Sequence, residues 1–311
     1  MSEKGSHRVV VAALSANFAI AVFKFIAAYL SRSSAMLAEA GHSLADTLNQ
    51  IFLLIGMRRG ARPATKEHPF GHGLETYFWS FMVALSIFSI GAGFSIHEGI
   101  EKIVHRSDPN YQLGSPIWAY VVLGASILLE GYSFFVAMKE FRAVADGRSV
   151  KQTLRETRDP AVLTVLLEDS AALFGLLVAL VGIYLSQRTG NLIYDGAASI
   201  LVGIALGVVA WFLARDTKSL LLGEAVPPDT EESIRRIVGE NQSVCEIVHL
   251  RTMHLGPDAV IAAIKVHFRS PLEIRTLEVK INEIEAALRR ELPILHRIYI
   301  EPGFDEQKAP V

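Results

Sequence analysis

The chain has 311 residues, of which 51% are hydrophobic and 20% charged, with a net charge of −2. Its mean hydropathy of +0.33 is too high for the two soluble domains that the length alone would accommodate. A pI near 6.6 argues against a nucleic-acid partner, and the single Cys245 excludes an intramolecular disulfide and a Cys-rich zinc site. The charge is also uneven: 36 charged residues fall in positions 1–220 and 26 in positions 221–311. We therefore expect a membrane domain over 1–220 and a soluble domain over 221–311. The N-terminal residues run into an apolar segment without a small-residue cleavage site, which reads as a retained helix.

Six apolar runs are long enough to span a bilayer, at roughly Val9–Leu30, Ser34–Met57, Thr76–Ile103, Pro116–Phe141, Ala161–Ser186 and Leu192–Ala214. Basic residues crowd the loops after the second run (Arg58, Arg59, Arg62, Lys66) and the fourth (Lys139, Arg142, Arg148, Lys151, Arg155, Arg158). The opposite side holds only Arg32, Lys102, Arg106 and Arg188, so both termini are expected in the cytoplasm. Arg215 and Lys218 mark the last exit from the membrane, and Leu220–Leu222 with Gly223 reads as the start of a linker.

The soluble part begins with a helix at Pro227-Pro228-Asp229, where Asp229 reads as the N-cap and Glu231 and Glu232 lie in the first turn. Val244–Met253 and Val260–Phe268 read as strands around the turn Gly256-Pro257-Asp258, Pro271–Leu292 as a helix and Arg297–Ile300 as a short strand. The order α-β-β-α-β suits a small two-layer α+β domain. The expected fold is thus a six-helix membrane domain followed by an α-β-β-α-β cytoplasmic domain.

Charges inside spans are costly, by roughly 2.5–3.5 kcal/mol each at mid-bilayer, and so demand a reason. In the second span Glu39, His42, Asp46 and Asn49 fall within roughly an 80° arc of a helix. His42 and Asp46 are one turn apart, so both can address one ion. The fifth span supplies Glu168 and Asp169, which diverge by about 100° and cannot both face one point. If His42, Asp46 and Asp169 converge, an imidazole and two carboxylates form a plausible shell for a divalent ion, with Glu39 and then Glu168 as candidate extra ligands. Because these ligands also bind protons, such a site can release its ion. Asp195, with Asn191 before it, opens the sixth span, where a helix N-terminus stabilises a carboxylate. His97, Glu98 and Glu130 lie inside the third and fourth spans, with Lys24 or Lys102 as possible partners for the glutamates. The loop Lys66-Glu67-His68-Pro69-Phe70-Gly71-His72-Gly73 holds a weaker metal-binding signal in His68 and His72.

Six spans, His42-Ser-Leu-Ala-Asp46 with Asn49, the loop His68-Pro-Phe-Gly-His72-Gly and the small α+β domain together resemble the cation diffusion facilitators, the zinc-transporter-type proton/metal antiporters. The resemblance runs from about residue 8 to 303. It implies a membrane-embedded homodimer with a metallochaperone-like cytoplasmic domain, exporting zinc or another divalent ion from the cytoplasm across the cell (inner) membrane in exchange for protons. His42, Asp46 and Asp169 match three of the four transport ligands of the family. The fourth position is Val165, which cannot ligate, so Glu39, Glu168 or water must replace it. The resulting oxygen-rich shell admits Mn²⁺, Fe²⁺ or Co²⁺ beside Zn²⁺. His68 and His72 match a loop metal site in which Thr65 stands where an acid is often found. In the soluble domain the positions of the family's metal ligands read Val248, Ile264, Tyr299 and Glu301, while His249, His254, His267 and His296 lie off the pattern. A dimerising domain with little or no metal regulation is therefore expected. The rival readings are a passive metal channel lined by the same polar stripe, and a membrane enzyme using the His42/Asp46 pair, for which no nucleophile or cofactor loop is recognisable.

Overall fold

The computed structural model describes residues 3–31, 34–105, 116–145, 160–269 and 271–303; side chains at 3–5, 27–28, 30–31, 34–42, 116, 118–119 and 144–145 lie outside the description. The basic residues Arg32, Arg106, Arg148, Lys151, Arg155 and Arg158 therefore fall outside it, as do the side chains of Glu39 and His42. The chain divides into two compact units, Met1–Arg59 with Thr76–Lys218, and Gly60–Glu75 with Ser219–Val311.

The first unit is helical, built from α1 (Glu3–Ser31), α2 (Ser34–Gly60), α3 (Leu74–Ser86), a π-helical segment (Ile87–Ala92), α4 (Gly93–Val104), α5 (Pro116–Ala145), α6 (Pro160–Thr189) and α7 (Ile193–Leu222). Among the described residues, five stretches are long and apolar enough to cross a membrane: Ser6–Ile26, Leu74–Val104, Tyr120–Ala143, Pro160–Thr189 and Ile193–Leu222. The molecule is an integral multi-pass membrane protein. Helix α2 has the length for a sixth crossing, at 27 residues, but Asp46, Arg58 and Arg59 make its described part less apolar.

The third run is not one uninterrupted α-helix. A π-helical turn inserts a residue's worth of rotation at Ile87–Ala92, and Ala92 then lies against Gly203 of α7. Helices α4 and α7 meet backbone to backbone: a Cβ on Gly99 would stand 2.6 Å from the Gly196 carbonyl oxygen, and one on Gly203 3.0 Å from that of Ala92. Small residues permit this approach, which supplies the van der Waals contact that holds helices together in lipid. Helix α5 packs on both α1 and α6, and α1 reaches α6. The apolar core of this unit includes Val10 and Ala13 from α1, Leu53 from α2, Phe141 from α5, Val162 and Val165 from α6, and Leu213 from α7. Arg59 stacks on Trp79 and Arg215 on Trp211, pairs suited to a membrane–water boundary.

Helix α7 runs on past Arg215 and Lys218 to Leu222, where the sequence led us to expect a linker. The extension is favoured because Leu220 is fully buried, and it stops at Gly223, whose φ of +99° is open to glycine at little cost. The second unit contains α8 (Pro228–Gly239), β1 (Val244–Gly256), β2 (Ala259–Phe268), α9 (Ile274–Glu291) and β3 (Leu295–Pro302), the α-β-β-α-β order expected. Strand β2 is central, antiparallel to β1 and parallel to β3. Its alternate residues Val260, Ala262, Ile264 and Val266 are buried, in a core shared with Ile234 and Val238 of α8 and Ile284 and Leu288 of α9. Asp229 does not cap α8: Pro227 holds that position without a side-chain bond, because Pro228 is already favourable at the first helical position. Asp229 instead lies in the first turn, where it meets the positive end of the helix dipole.

Replacing Gly99 by Val should lower the stability of the purified protein in detergent by about 1–3 kcal/mol, since backbone on the facing helix cannot yield. Gly124→Ala, at a helical position with nothing within 4 Å of the new methyl, should leave the melting temperature unchanged or slightly raised.

Candidate functional site

Buried polar residues in the first unit gather where α1, α2, α5 and α6 meet. Asp169 is 1% exposed, Glu168 6% and Glu130 8%, while Asp46 is half-buried. The divergence of Glu168 and Asp169 read from the sequence is realised, and each faces a different helix. Glu168 turns toward α2, where Asn49 Nδ2 donates to its Oε1 at 3.1 Å and Gln50 Nε2 to its Oε2 at 2.8 Å. Asp169 turns toward α5, where Ser133 Oγ donates to its Oδ2 at 2.7 Å. Its other oxygen, Oδ1, is buried with no hydrogen-bond partner among the described residues.

The four carboxylates share one electrostatic neighbourhood. Asp46 acts on Glu130, Glu168 and Asp169, and Glu130 also feels Asp169. Among the described residues the cation in this group is Lys24 of α1, which faces Glu130. An unpaired oxygen on Asp169 beside Asp46 is a place where a cation is attracted and a further anion repelled. Among the described residues no three of His, Cys, Asp and Glu come close enough to enclose an ion. Glu39 and His42 lie on α2 one or two turns before Asp46, and their side chains are outside the described set. Val165, one turn before Asp169, is fully buried in the apolar core.

Two contributors were not singled out from the sequence, and both left a signal there. Gln50 lies four residues after Asp46, hence on its face, and Ser133 lies three after Glu130. An amide and a hydroxyl in a span are uncharged, so neither incurs the insertion penalty that made the carboxylates conspicuous.

Glu98 and Asp195 belong to a separate cluster. Lys102 Nζ reaches Glu98 Oε1 at 2.9 Å and Asp195 Oδ2 at 3.1 Å, joining α4 to the start of α7. Asn191 Oδ1 accepts from the Ile193 amide at 3.0 Å, an Asx-turn that meets the first amide of that helix. Lys102→Met should leave two carboxylates facing one another and cost about 1–3 kcal/mol of stability. Adding Asp195→Asn should recover part of the loss in the same melting measurement.

In the second unit the loop His68–Gly73 forms turns, with the Gly71 amide donating to the His68 carbonyl at 3.0 Å. The two histidine rings stand edge to face with centroids 4.6 Å apart, and His72 Nδ1 lies 3.1 Å from the Pro63 carbonyl oxygen. Gly73 packs directly on Leu255 and Gly256 at the β1–β2 turn. Of the soluble-domain histidines, His249 and His296 are exposed, His267 half-buried and His254 buried. Glu301 is exposed beside Lys265, and Ile264 lies in the core.

The family profile described as the cation efflux transmembrane domain matches residues 10–222. The chain is 34% identical over 292 residues to a mitochondrial proton-coupled zinc antiporter, SLC30A9, of Xenopus laevis, which covers 91% of this chain and 52% of that protein. It is 31% identical over 278 residues to metal tolerance protein C4 of Arabidopsis thaliana, covering 88% and 60%. An uncharacterised transporter, MJ0449, of Methanocaldococcus jannaschii is 24% identical over 289 residues and covers 91% of both chains. The chain thus spans about half the length of the vertebrate protein it matches.

Proposed function

The chain belongs to the cation efflux family, and from that premise we propose that it is a secondary transporter that exports a divalent metal ion from the cytoplasm in exchange for protons. The observation that carries this reading is the group of four carboxylates from α2, α5 and α6, three of them buried, with the Asp169 Oδ1 unpartnered among the described residues. Among the described residues four such groups stand beside the ammonium of Lys24, and they cannot all remain ionised in a low-dielectric bundle without a cation or protons among them. Metal and protons therefore compete for the same oxygens, which is the condition for exchange.

The ligands proposed are Asp46 and Asp169, with His42 supplying the imidazole and Glu39 or a water filling the place that Val165 leaves empty. Oxygen ligands with one imidazole suit Zn²⁺ and also accept Mn²⁺, Fe²⁺ or Co²⁺. His68 and His72 are proposed as a second, weaker place for the ion. Rocking of the helices that carry the site would expose it alternately to the two sides. The soluble domain over 221–311 is proposed to pair two copies, and the exposed Ile274, Val279 and Tyr299 are apolar surface such a contact would cover. The basic loops after the second and fourth runs support a cytoplasmic side for both termini, and the membrane proposed is a cell (inner) membrane.

In proteoliposomes with an acidic lumen, external Zn²⁺ or Mn²⁺ should accumulate inside and collapse of the pH gradient should stop it. Asp46→Ala and Asp169→Ala should each abolish the flux. Undiminished flux in both variants would refute the site, and flux indifferent to the gradient would favour a channel. At equilibrium the apparent Zn²⁺ affinity should fall as pH falls, because protons occupy the ligands; calorimetry at pH 6 and pH 8 reads the sign directly.

A further inference from the structure

Glu168 is in direct hydrogen-bond contact with α2 at two adjacent positions, and its fellow carboxylate Asp169 is not. Asn49 and Gln50 follow Asp46 by three and four residues, so they occupy the turn directly next to it. Their side chains leave the helix about 100° apart and yet end on the two oxygens of one carboxylate. A single bond would constrain the rotation of α2 against α6 less. Two bonds from neighbouring positions to one rigid carboxylate fix both its rotation and its height against α6. The orientation of the amides is set by chemistry, since only their N–H groups can face a carboxylate. In consequence Asn49 Oδ1 and Gln50 Oε1 are left buried with no partner among the described residues. Apolar side chains would fill this space without such orphaned atoms, so packing alone does not account for the arrangement.

We propose that Glu168 is a positioning residue: it clamps α2 to α6 through Asn49 and Gln50 and so sets Asp46 opposite Asp169, instead of serving as an ion ligand itself. This rests on the transport-site reading above, and makes the residue next to a proposed ligand the one that aligns the two ligand-bearing helices. The isosteric pair Glu168 and Gln50 allows a direct test, because exchanging them keeps every atom count and reverses only which helix carries the carboxylate.

The full-length chain is reconstituted as wild type, Glu168→Gln, Gln50→Glu and the double exchange, with Asp169→Asn as the comparator, and Zn²⁺ and Mn²⁺ flux is measured under an imposed pH gradient. Glu168→Gln replaces two charge-assisted bonds by neutral ones and keeps the second only if the Gln50 amide turns over, and Gln50→Glu sets two carboxylates face to face. Each single variant should raise KM for both ions about tenfold with maximal flux within about threefold of wild type. The double exchange should bring KM back to within about threefold. The ratio of the Zn²⁺ and Mn²⁺ KM values should stay constant throughout, because the ligands are unchanged. If Glu168→Gln does not stay monodisperse in detergent, Asn49→Ala, which removes one of the two bonds, should show a smaller rise with the same constant ratio. A KM ratio shifted tenfold or more, or a double exchange as impaired as either single variant, would overturn the clamp and make Glu168 a ligand. Wild-type flux in Asp169→Asn would instead refute the transport site itself, so the two failures are told apart.

Discussion

The energetic cost of placing carboxylates inside a lipid-embedded helix bundle is the constraint on which this molecule depends. In water Asp46, Glu130, Glu168 and Asp169 would be unremarkable; between α1, α2, α5 and α6 each must be met by a donor, a cation or a proton. The fold meets part of that demand with neutral donors: two amides for Glu168 and one hydroxyl for Asp169. One ammonium, Lys24, lies opposite Glu130. Among the described residues the second oxygen of Asp169 remains unmet, in the field of Asp46.

The surrounding helices are arranged so that this polar interior coexists with a stable body. Helices α4 and α7 are held by glycine contacts and by the bridge from Lys102 to Glu98 and Asp195, at positions distinct from the four buried carboxylates. Close backbone packing and an ion pair join α4 to α7, and the paired hydrogen bonds of Glu168 join α2 to α6.

Much of this could be read from the chain alone, for particular reasons. The spans announced themselves by length and composition, and the α-β-β-α-β order by alternation in β2 and helical period in α9. Glu168 and Asp169 were conspicuous because charge in a span is expensive, and their divergence followed from 100° per residue. The partners were harder. Gln50 and Ser133 are ordinary neutral residues whose importance appears only when another helix is placed against them. The π-helical turn at Ile87–Ala92 leaves no mark in an apolar sequence, although it lies where Ala92 meets Gly203. Asp229 lost its expected role as a cap to Pro227 for a local reason: Pro228 already suits the first helical position.

An ion held between α2 and α6 by oxygen and imidazole is the central feature of the proposed site. X-ray absorption at the zinc edge of the Zn²⁺-loaded, purified full-length protein tests this most directly. Zinc on Asp46, Asp169 and His42 should give a light-atom shell at about 2.0–2.1 Å with the multiple scattering of an imidazole, and no sulfur at about 2.3 Å. The same spectrum taken on Asp169→Asn should lose this shell or show it changed. A spectrum identical in the two proteins, or one dominated by sulfur, would contradict it.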